Sequence, residues 1–143
     1  MYRRIATMTG AVVAGLALIA APASATESVK QTAKKGSGPP SGSQCSVGKG
    51  VTVCFQKHGD KIWVLDKQAD GHHAVGGWGF ASGGSDVWDY ECHDYAGKGV
   101  WTYCSWADTI PESSTITFRG MEFEGDTPLF NGDAGSPLSS KAS

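Results

Sequence analysis

Short runs of alternating apolar and polar residues dominate the middle of the chain. Residues 51–56 (VTVCFQ) place an apolar side chain at every second position, which is the period of a strand with one buried face. Residues 61–66 (KIWVLD) are apolar on both faces, which is typical of a strand buried on both sides. Further strands are predicted at residues 75–80, 87–93, 100–106 and 114–118. No segment shows the period of a helix.

Turn residues separate these segments at intervals of roughly ten residues. They are His58-Gly59-Asp60, Asp70-Gly71, Ser82-Gly83-Gly84, Gly97-Lys98-Gly99 and Ile110-Pro111-Glu112. This spacing predicts an all-β fold, a small antiparallel β-sandwich or barrel of six to seven strands. Near the end of the predicted domain, Ile116 and Phe118 would point to one face of a strand, and Met121 and Phe123 to the other. We therefore expect a β-bulge around Gly120 that keeps all four side chains inside.

The four cysteines lie in two short segments of similar design. The first runs from Cys45 to Cys54 and the second from Cys92 to Cys104, and each places Gly-Lys-Gly-Val between its cysteines. A glycine-rich turn at the centre of a hairpin would set the two cysteines of each segment opposite each other, at a separation that suits a disulfide. Four cysteines allow three pairings. The hairpin geometry favours two hairpin disulfides, Cys45–Cys54 and Cys92–Cys104.

The expected second hairpin defines a candidate binding surface. On one of its faces His93 would lie opposite Tyr103, and Tyr95 opposite Trp101. These four residues combine aromatic rings with hydrogen-bonding groups, which suits the stacking of a sugar ring or of an apolar side chain from a protein partner. The alternative is that Trp101 and Tyr103 pad the thin core of a small domain.

The first residues have the order of a secretory signal peptide. Arg3 and Arg4 supply a positive start, residues 11–21 form an apolar run too short to span a bilayer, and Ala23-Ser24-Ala25 is a small-residue cleavage site. We therefore expect a signal peptide at residues 1–25 and a secreted, extracellular protein with no membrane segment after its removal. In that compartment the cysteines are expected to be oxidised.

Composition divides the rest of the chain into three parts. Residues 26–44 are rich in Gly, Pro, Ser and Lys and are expected to form a disordered linker. Residues 45–124 are expected to form a single β-domain. Residues 125–143 are expected to be a mostly disordered tail, in which Leu129-Phe130 can dock as a last short strand.

Charge excludes one class of partner. Between Cys45 and Asp126 the chain has twelve acidic and six basic residues. A domain with this excess of negative charge is not expected to bind nucleic acid. The lysines that precede it are interpreted as solubilising charges of a flexible arm.

The histidines and acidic residues do not show the spacing of a metal site. His72 and His73 are adjacent, so on a strand they point to opposite faces, and neither forms a zinc pattern with the other histidines. Asp66 and Asp70 flank a turn and both offer oxygens to calcium, but Asp70-Gly71 is also the ordinary chemistry of a hairpin bend. The turn interpretation is favoured, and no metal or other cofactor is expected.

Catalytic patterns are equally weak. The chain has no G-x-S-x-G elbow, and its cysteines are assigned to disulfides. Carboxylate pairs such as Asp89 with Glu91, or Glu122 with Glu124, suit a glycosidase on paper. A single domain of this size seldom holds the cleft that such an enzyme needs, so enzyme activity is not expected.

A longer pattern covers residues 45–124. Two cysteine pairs flank the stretch Gly59-Asp60-x-x-x-Val64-x-Asp66-x-x-Ala69-Asp70-Gly71-His72-x-Ala74-Val75, and a strand with Phe118-Arg119 follows. This pattern resembles small exported proteins of filamentous actinobacteria. The resemblance implies a secreted antiparallel β-domain, and it assigns neither an activity nor functional residues.

Three hypotheses about function follow. The preferred one is a noncatalytic extracellular domain that binds a glycan, such as a cell-wall polymer, or a protein through His93, Tyr95, Trp101 and Tyr103. The second is a secreted hydrolase inhibitor that acts through an exposed loop, either residues 82–85 or residues 95–99. The third is a small hydrolase with a carboxylate pair.

Overall fold

Two β-sheets form the protein. The computed structural model describes residues 27–83, 88–129 and 131–143. The expected signal peptide, residues 84 and 85 of the 82–85 loop, and Phe130 therefore lie outside the described residues. The described strands are β1 (Val29–Thr32), β2 (Lys34–Lys35), β3 (Gln44–Val47), β4 (Val51–Gln56), β5 (Lys61–Asp66), β6 (His73–Phe80), β7 (Tyr90–Asp94), β8 (Trp101–Ser105), β9 (Thr115–Glu124), β10 (Thr127–Leu129) and β11 (Leu138–Lys141). Within the described ranges no helix is both long and apolar enough to cross a membrane.

The two sheets pack face to face as a sandwich. The first sheet has the order β1-β7-β6-β9-β10, and β11 also pairs with β9. The second sheet has the order β2-β8-β5-β4-β3. All neighbours are antiparallel except β1 and β7, which are parallel. The predicted all-β sandwich is confirmed, and each of the strands predicted from alternation has a counterpart.

The core lies between the sheets and is built from the side chains that each strand turns inward. Strand alternation turns one face of each strand inward. The largest of the fully buried side chains include Trp78, Trp106, Phe55, Phe118, Ile62 and Ile116. A second, smaller apolar cluster of Val75, Met121 and Phe123, with Trp88 packed against it, covers part of the outer face of the first sheet.

Both predicted disulfide pairings are confirmed, but only one of them lies in a hairpin. Cys45 and Cys54 are register partners of β3 and β4, with their Cα atoms 4.0 Å apart. Cys92 and Cys104 are 5.8 Å apart and join β7 in the first sheet to β8 in the second. The predicted hairpin between β7 and β8 is wrong, because β7 pairs with β6 and β8 pairs with β5. The segment between the two cysteines crosses from one sheet to the other.

The expected bulge at Gly120 is also wrong. The pairing of β9 with β6 is continuous, with Gly120 opposite Gly76 and Met121 opposite Val75. Ile116 and Phe118 therefore point into the main core, whereas Met121 points to the outer face. No bulge is needed, since the small outer cluster buries that side chain.

The segments on either side of the expected domain take part in the sheets. Residues 26–44 were expected to be disordered, yet they contribute β1 and β2, which pair with β7 and β8. The tail contributes β10 and β11, which pair with β9. Composition does not reveal these strands, because they add few buried side chains and instead satisfy backbone groups at the edges of the sheets.

Candidate functional site

The four predicted binding residues lie on opposite sides of the sandwich. His93 is on β7 and Tyr95 follows it, whereas Trp101 and Tyr103 are on β8. Tyr103 pairs with Trp63 of β5, and His93 pairs with Val75 of β6. The predicted contact surface therefore does not exist as one face, since it depended on a hairpin that does not form.

Residues 36–38, which follow β2 and which we call the N-terminal arm, lie against the aromatic residues of the second sheet. We call Trp63, Trp101 and Tyr103 the aromatic stripe; the rings of Trp63 and Tyr103 lie 4.9 Å apart. A Cβ atom added to Gly36 would lie 2.7 Å from the Trp63 ring, and one added to Gly38 would lie 3.0 Å from Trp101. Trp63 is only 5% exposed as a result. The alternative interpretation, in which these aromatic side chains are structural padding, describes this face.

On the outer face of the first sheet, four residues form a connected group that we call the histidine cluster: His73, Glu91, His93 and Tyr95. His93 is 2% exposed and lies at its centre. Its Nε2 is 2.9 Å from Glu91 Oε2, and its Nδ1 is 2.9 Å from His73 Nε2 and 3.3 Å from Tyr95 Oη. Strand pairing explains the proximity, because β6 and β7 are neighbours and place these side chains on the same face.

The hydrogen bonds of the cluster fix which atoms carry protons. Burial opposes the charge on Glu91, but hydrogen bonds from His93 and Ser28 outweigh it and hold the pKa of Glu91 below its usual value. An ionised Glu91 accepts a hydrogen bond from His93 Nε2–H. When the ring of His93 is neutral, its Nδ1 then carries a lone pair. Two potential donors, His73 Nε2–H and Tyr95 O–H, face that single lone pair. Burial lowers the pKa of His73, as does the positive charge that His93 carries whenever it is protonated, and both effects favour the neutral form of His73.

Tyr95 gives this face an exposed ring. It is 60% exposed, and its centroid lies 4.5 Å from that of His73. Nearby, Lys30 Nζ and Asp126 Oδ1 form an ion pair at 3.0 Å, and the two histidines lower the pKa of Asp126 after the stronger effect of Lys30. The surface thus offers one open ring with charged hydrogen-bonding groups beside it.

A third group of polar residues lies at one end of the sandwich. It includes Asp70, which the sequence indicates as a turn residue, and His72, whose spacing fits no zinc pattern. Asp70, His72 and Glu122 each offer a ligand atom, and these atoms all lie within 4.8 Å of one another. Sequence spacing missed this group because Glu122 is distant in the chain. One signal was present: Glu122 shares the inward parity of Ile116 and Phe118, where an acidic residue is unusual. Asp66, the other calcium candidate, is buried and bonds to the backbone of Gln68 instead.

A surface groove shares no residue with any of the three groups. It has a volume of about 430 Å³ and is formed by residues 40–44 and 55–58. Its lining includes His58, and none of the predicted binding residues contributes to it. This groove therefore contains neither the histidine cluster nor the group of Asp70, His72 and Glu122.

Comparison with known proteins gives no further guide. No protein family matches the chain. Neither the curated proteins nor the solved structures contain a significant match to it.

Proposed function

We propose that the protein is an exported, noncatalytic domain that binds an extracellular glycan through the outer face of its first sheet. The observation that carries the proposal is the exposed ring of Tyr95, whose centroid lies 4.5 Å from that of His73, with the Lys30–Asp126 ion pair close to the same histidine. A sugar ring presents an apolar face for stacking and hydroxyl groups for hydrogen bonds, and this surface supplies partners for both.

The small apolar area of the surface favours a glycan over a protein partner. Only three large hydrophobic side chains of the described residues are exposed, and they are Val29, Val47 and Tyr95. Stable protein interfaces have a core of several buried apolar or aromatic residues. A single aromatic ring among polar groups matches a sugar better than it matches a protein partner.

The covalent structure is compatible with export. Two disulfides join all four cysteines, and none of the cysteines is free. Disulfides persist in oxidising compartments, which agrees with the signal-peptide pattern of residues 1–25. Together these features support an extracellular location.

The proposal is tested by binding of the oxidised protein to a panel of insoluble glycans, including chitin, cellulose and peptidoglycan. We expect saturable binding to at least one of them, weakened about fivefold or more in Tyr95→Ala, the loss typical of removing an aromatic anchor. Val47→Ala is the matched control, because Val47 is 64% exposed on the second sheet. Equal binding by Tyr95→Ala and the unmodified protein, or no binding to any glycan, would contradict the proposal.

A second candidate function is the inhibition of a secreted hydrolase by residues 95–99. This exposed loop is held at its base, since Asp94 Oδ1 accepts from Ala96 N–H at 2.8 Å and Gly99 N–H donates to the Asp66 carbonyl at 2.8 Å. A rigid exposed loop is the feature that such inhibitors present to a protease. Assays with secreted proteases and amylases test the inhibitor hypothesis, and a lack of inhibition in all of them would contradict it.

A further inference from the structure

The loop between β5 and β6 is held in a defined shape by local hydrogen bonds. Asp66 Oδ1 accepts from Gln68 N–H at 2.9 Å, and Asp70 Oδ1 accepts from His72 N–H at 3.1 Å. Gly71 has a φ of 88°, a conformation that glycine adopts without strain. As a result the second oxygen of Asp70 faces the ring of His72, with Oδ2 and Nδ1 3.5 Å apart.

Glu122 reaches the same place from β9. Its side chain is 2% exposed and points inward at the end of the strand. Asn131 Nδ2 donates to Glu122 Oε2 at 2.8 Å, which leaves Oε1 directed at the loop. Gly50 makes room for it, because a Cβ atom at that position would collide with Glu122 Oε1. Asn131 thus holds the carboxylate of Glu122 by a hydrogen bond, and Gly50 leaves the space that it occupies.

Gln68 completes the group. One end of its side-chain amide lies 3.0 Å from Asp70 Oδ2 and 3.2 Å from Glu122 Oε1. If that end is the NH₂ group, it donates to both carboxylates. If it is the oxygen, three oxygens converge, and such an arrangement is stable only with a cation between them. Without an ion the NH₂ group faces the two carboxylates, because only that orientation satisfies the amide. A cation between them would require the amide to turn its oxygen toward the ion.

The histidine of this group has an unused nitrogen. Nδ1 of His72 is shielded from solvent, and no described residue forms a hydrogen bond with it. The 3.5 Å to Asp70 Oδ2 exceeds an ordinary hydrogen bond. It is, however, close to the roughly 3.4 Å that separates two ligands of a tetrahedral ion bound at about 2.1 Å.

This end of the core also holds three buried carboxylates that form no direct ion pair with any described lysine or arginine. Asp66, Asp94 and Glu122 are all buried. Among the described residues no lysine or arginine forms an ion pair with any of the three. Buried carboxylates are ordinarily paired with a cation or bound to a metal.

We propose that Asp70, His72 and Glu122 bind one divalent transition-metal ion, best matched by Zn²⁺, with the amide oxygen of Gln68 as a fourth ligand. One imidazole nitrogen with carboxylate oxygens is a ligand set that zinc accepts. Calcium and magnesium prefer oxygen ligands alone. The ion ties the β5–β6 loop to β9 and so stabilises the end of the sandwich. This site shares no residue with the histidine cluster and does not depend on glycan binding.

The experiment is titration of the oxidised, metal-free protein with Zn²⁺, followed by calorimetry and by thermal unfolding. We expect one Zn²⁺ per chain and a midpoint temperature raised by roughly 5 °C or more at a hundredfold excess over the dissociation constant. Ca²⁺ at the same concentration should have a much smaller effect. His72→Gln, at a partly exposed position, should weaken Zn²⁺ binding by at least about tenfold, and Asn131→Ala by about tenfold to a hundredfold through misplacement of Glu122.

Two histidine variants locate the ion. His58→Gln is the matched control, because His58 is exposed and contacts Ser143 instead, so its affinity for Zn²⁺ should be unchanged. The proposal is overturned if Zn²⁺ does not bind saturably, or if His72→Gln binds it as tightly as the unmodified protein does. It is also overturned if His73→Gln abolishes binding while His72→Gln retains it, since the ion would then lie in the histidine cluster.

Discussion

The outer faces of the two sheets differ in what covers them. The second sheet carries the aromatic stripe, and the N-terminal arm lies against it. The first sheet carries the histidine cluster, where Tyr95 remains open to solvent. The chain thus covers the aromatic stripe, whereas on the first sheet Tyr95 stays open although His93 and Glu91 beside it are buried. Aromatic content marks a surface that needs burial, and it does not by itself mark a binding site.

The difference has a simple energetic origin. Burial of a large aromatic side chain is among the strongest contributions to folding in a small domain. Gly36 and Gly38 allow the backbone of the arm to approach the rings closely. Imidazole and carboxylate groups gain less from burial, because each must keep a hydrogen-bond partner. On the first sheet His93 and Glu91 are buried as a hydrogen-bonded pair, and Tyr95 is left open for a ligand.

The largest expected effect is that of Trp63→Ala. Trp63 is buried under the arm and its Nε1–H donates to Gln56 Oε1 at 2.8 Å, so its truncation leaves a cavity and an unpaired amide oxygen. We expect the free energy of unfolding to fall by about 3–5 kcal/mol, measured by urea denaturation. A loss below about 1 kcal/mol would mean that the arm does not cover the stripe.

A smaller loss is expected from Gly36→Val, which tests the contact between the arm and the stripe directly. The added side chain meets the rings of Trp63 and Tyr103, so the arm must shift, at a cost of about 1–3 kcal/mol. Gly132→Val is the matched control, because a Cβ atom there meets nothing within 4 Å. Equal stability of the two variants would contradict the close packing of the arm.

The third effect depends on pH and concerns the first sheet. Because the pKa of His73 is lowered in the folded state, the unfolded chain takes up its proton first. The contribution of His73 to stability is complete above pH ~6.5 and is lost as the pH falls from there through the lower pKa of the folded state. We expect stability measured from pH 8 to pH 5 to decline more steeply in the unmodified protein than in His73→Gln.

Comparison with His73→Gln separates the effect of His73 on the pH dependence of stability from the effects of the other titratable groups. The raised pKa values of Asp66 and Asp94 act in the opposite direction, since stability due to them increases as the pH falls toward their unfolded values. The stabilising contribution of Glu91 stays constant between pH 8 and pH 5 and is lost only at lower pH, because its pKa is lowered from an already acidic value. Identical slopes for the two proteins between pH 8 and pH 5 would rule out a neutral, partly buried His73.

The smallest expected effect on stability is that of Tyr95→Ala. An exposed ring contributes little to folding, so we expect the free energy of unfolding to change by no more than about 0.5 kcal/mol. This result, together with lost glycan binding, would separate a binding role from a structural role. A loss comparable to that of Trp63→Ala would place Tyr95 in the structural core instead.

The sequence predicts elements whose side chains repeat with the period of a strand. Val51, Val53 and Phe55 identify β4, and the first cysteine pair identifies its hairpin with β3. The partner of each later strand is not predictable in the same way. The segment from Cys92 to Cys104 has the symmetry of a hairpin, but nothing in it shows that its two strands belong to different sheets.

The candidate sites show the same limit. His93 and Tyr95 are binding candidates in the sequence because an expected hairpin sets them opposite Tyr103 and Trp101, and that hairpin does not form. His73 and Glu122 are not binding candidates there, because their partners are supplied by neighbouring strands or by a distant loop. Backbone pairing at the sheet edges, which orders residues 29–35, leaves no hydrophobic pattern at all.

Hydroxyl-radical footprinting of the oxidised protein, read by mass spectrometry at each aromatic residue, tests the contrast between the two faces most directly. We predict rapid oxidation of Tyr95, slow oxidation of Trp63, and protection of Tyr95 when a bound glycan is present. Rapid oxidation of Trp63 together with slow oxidation of Tyr95 would contradict the account, since the second sheet would then present the open surface.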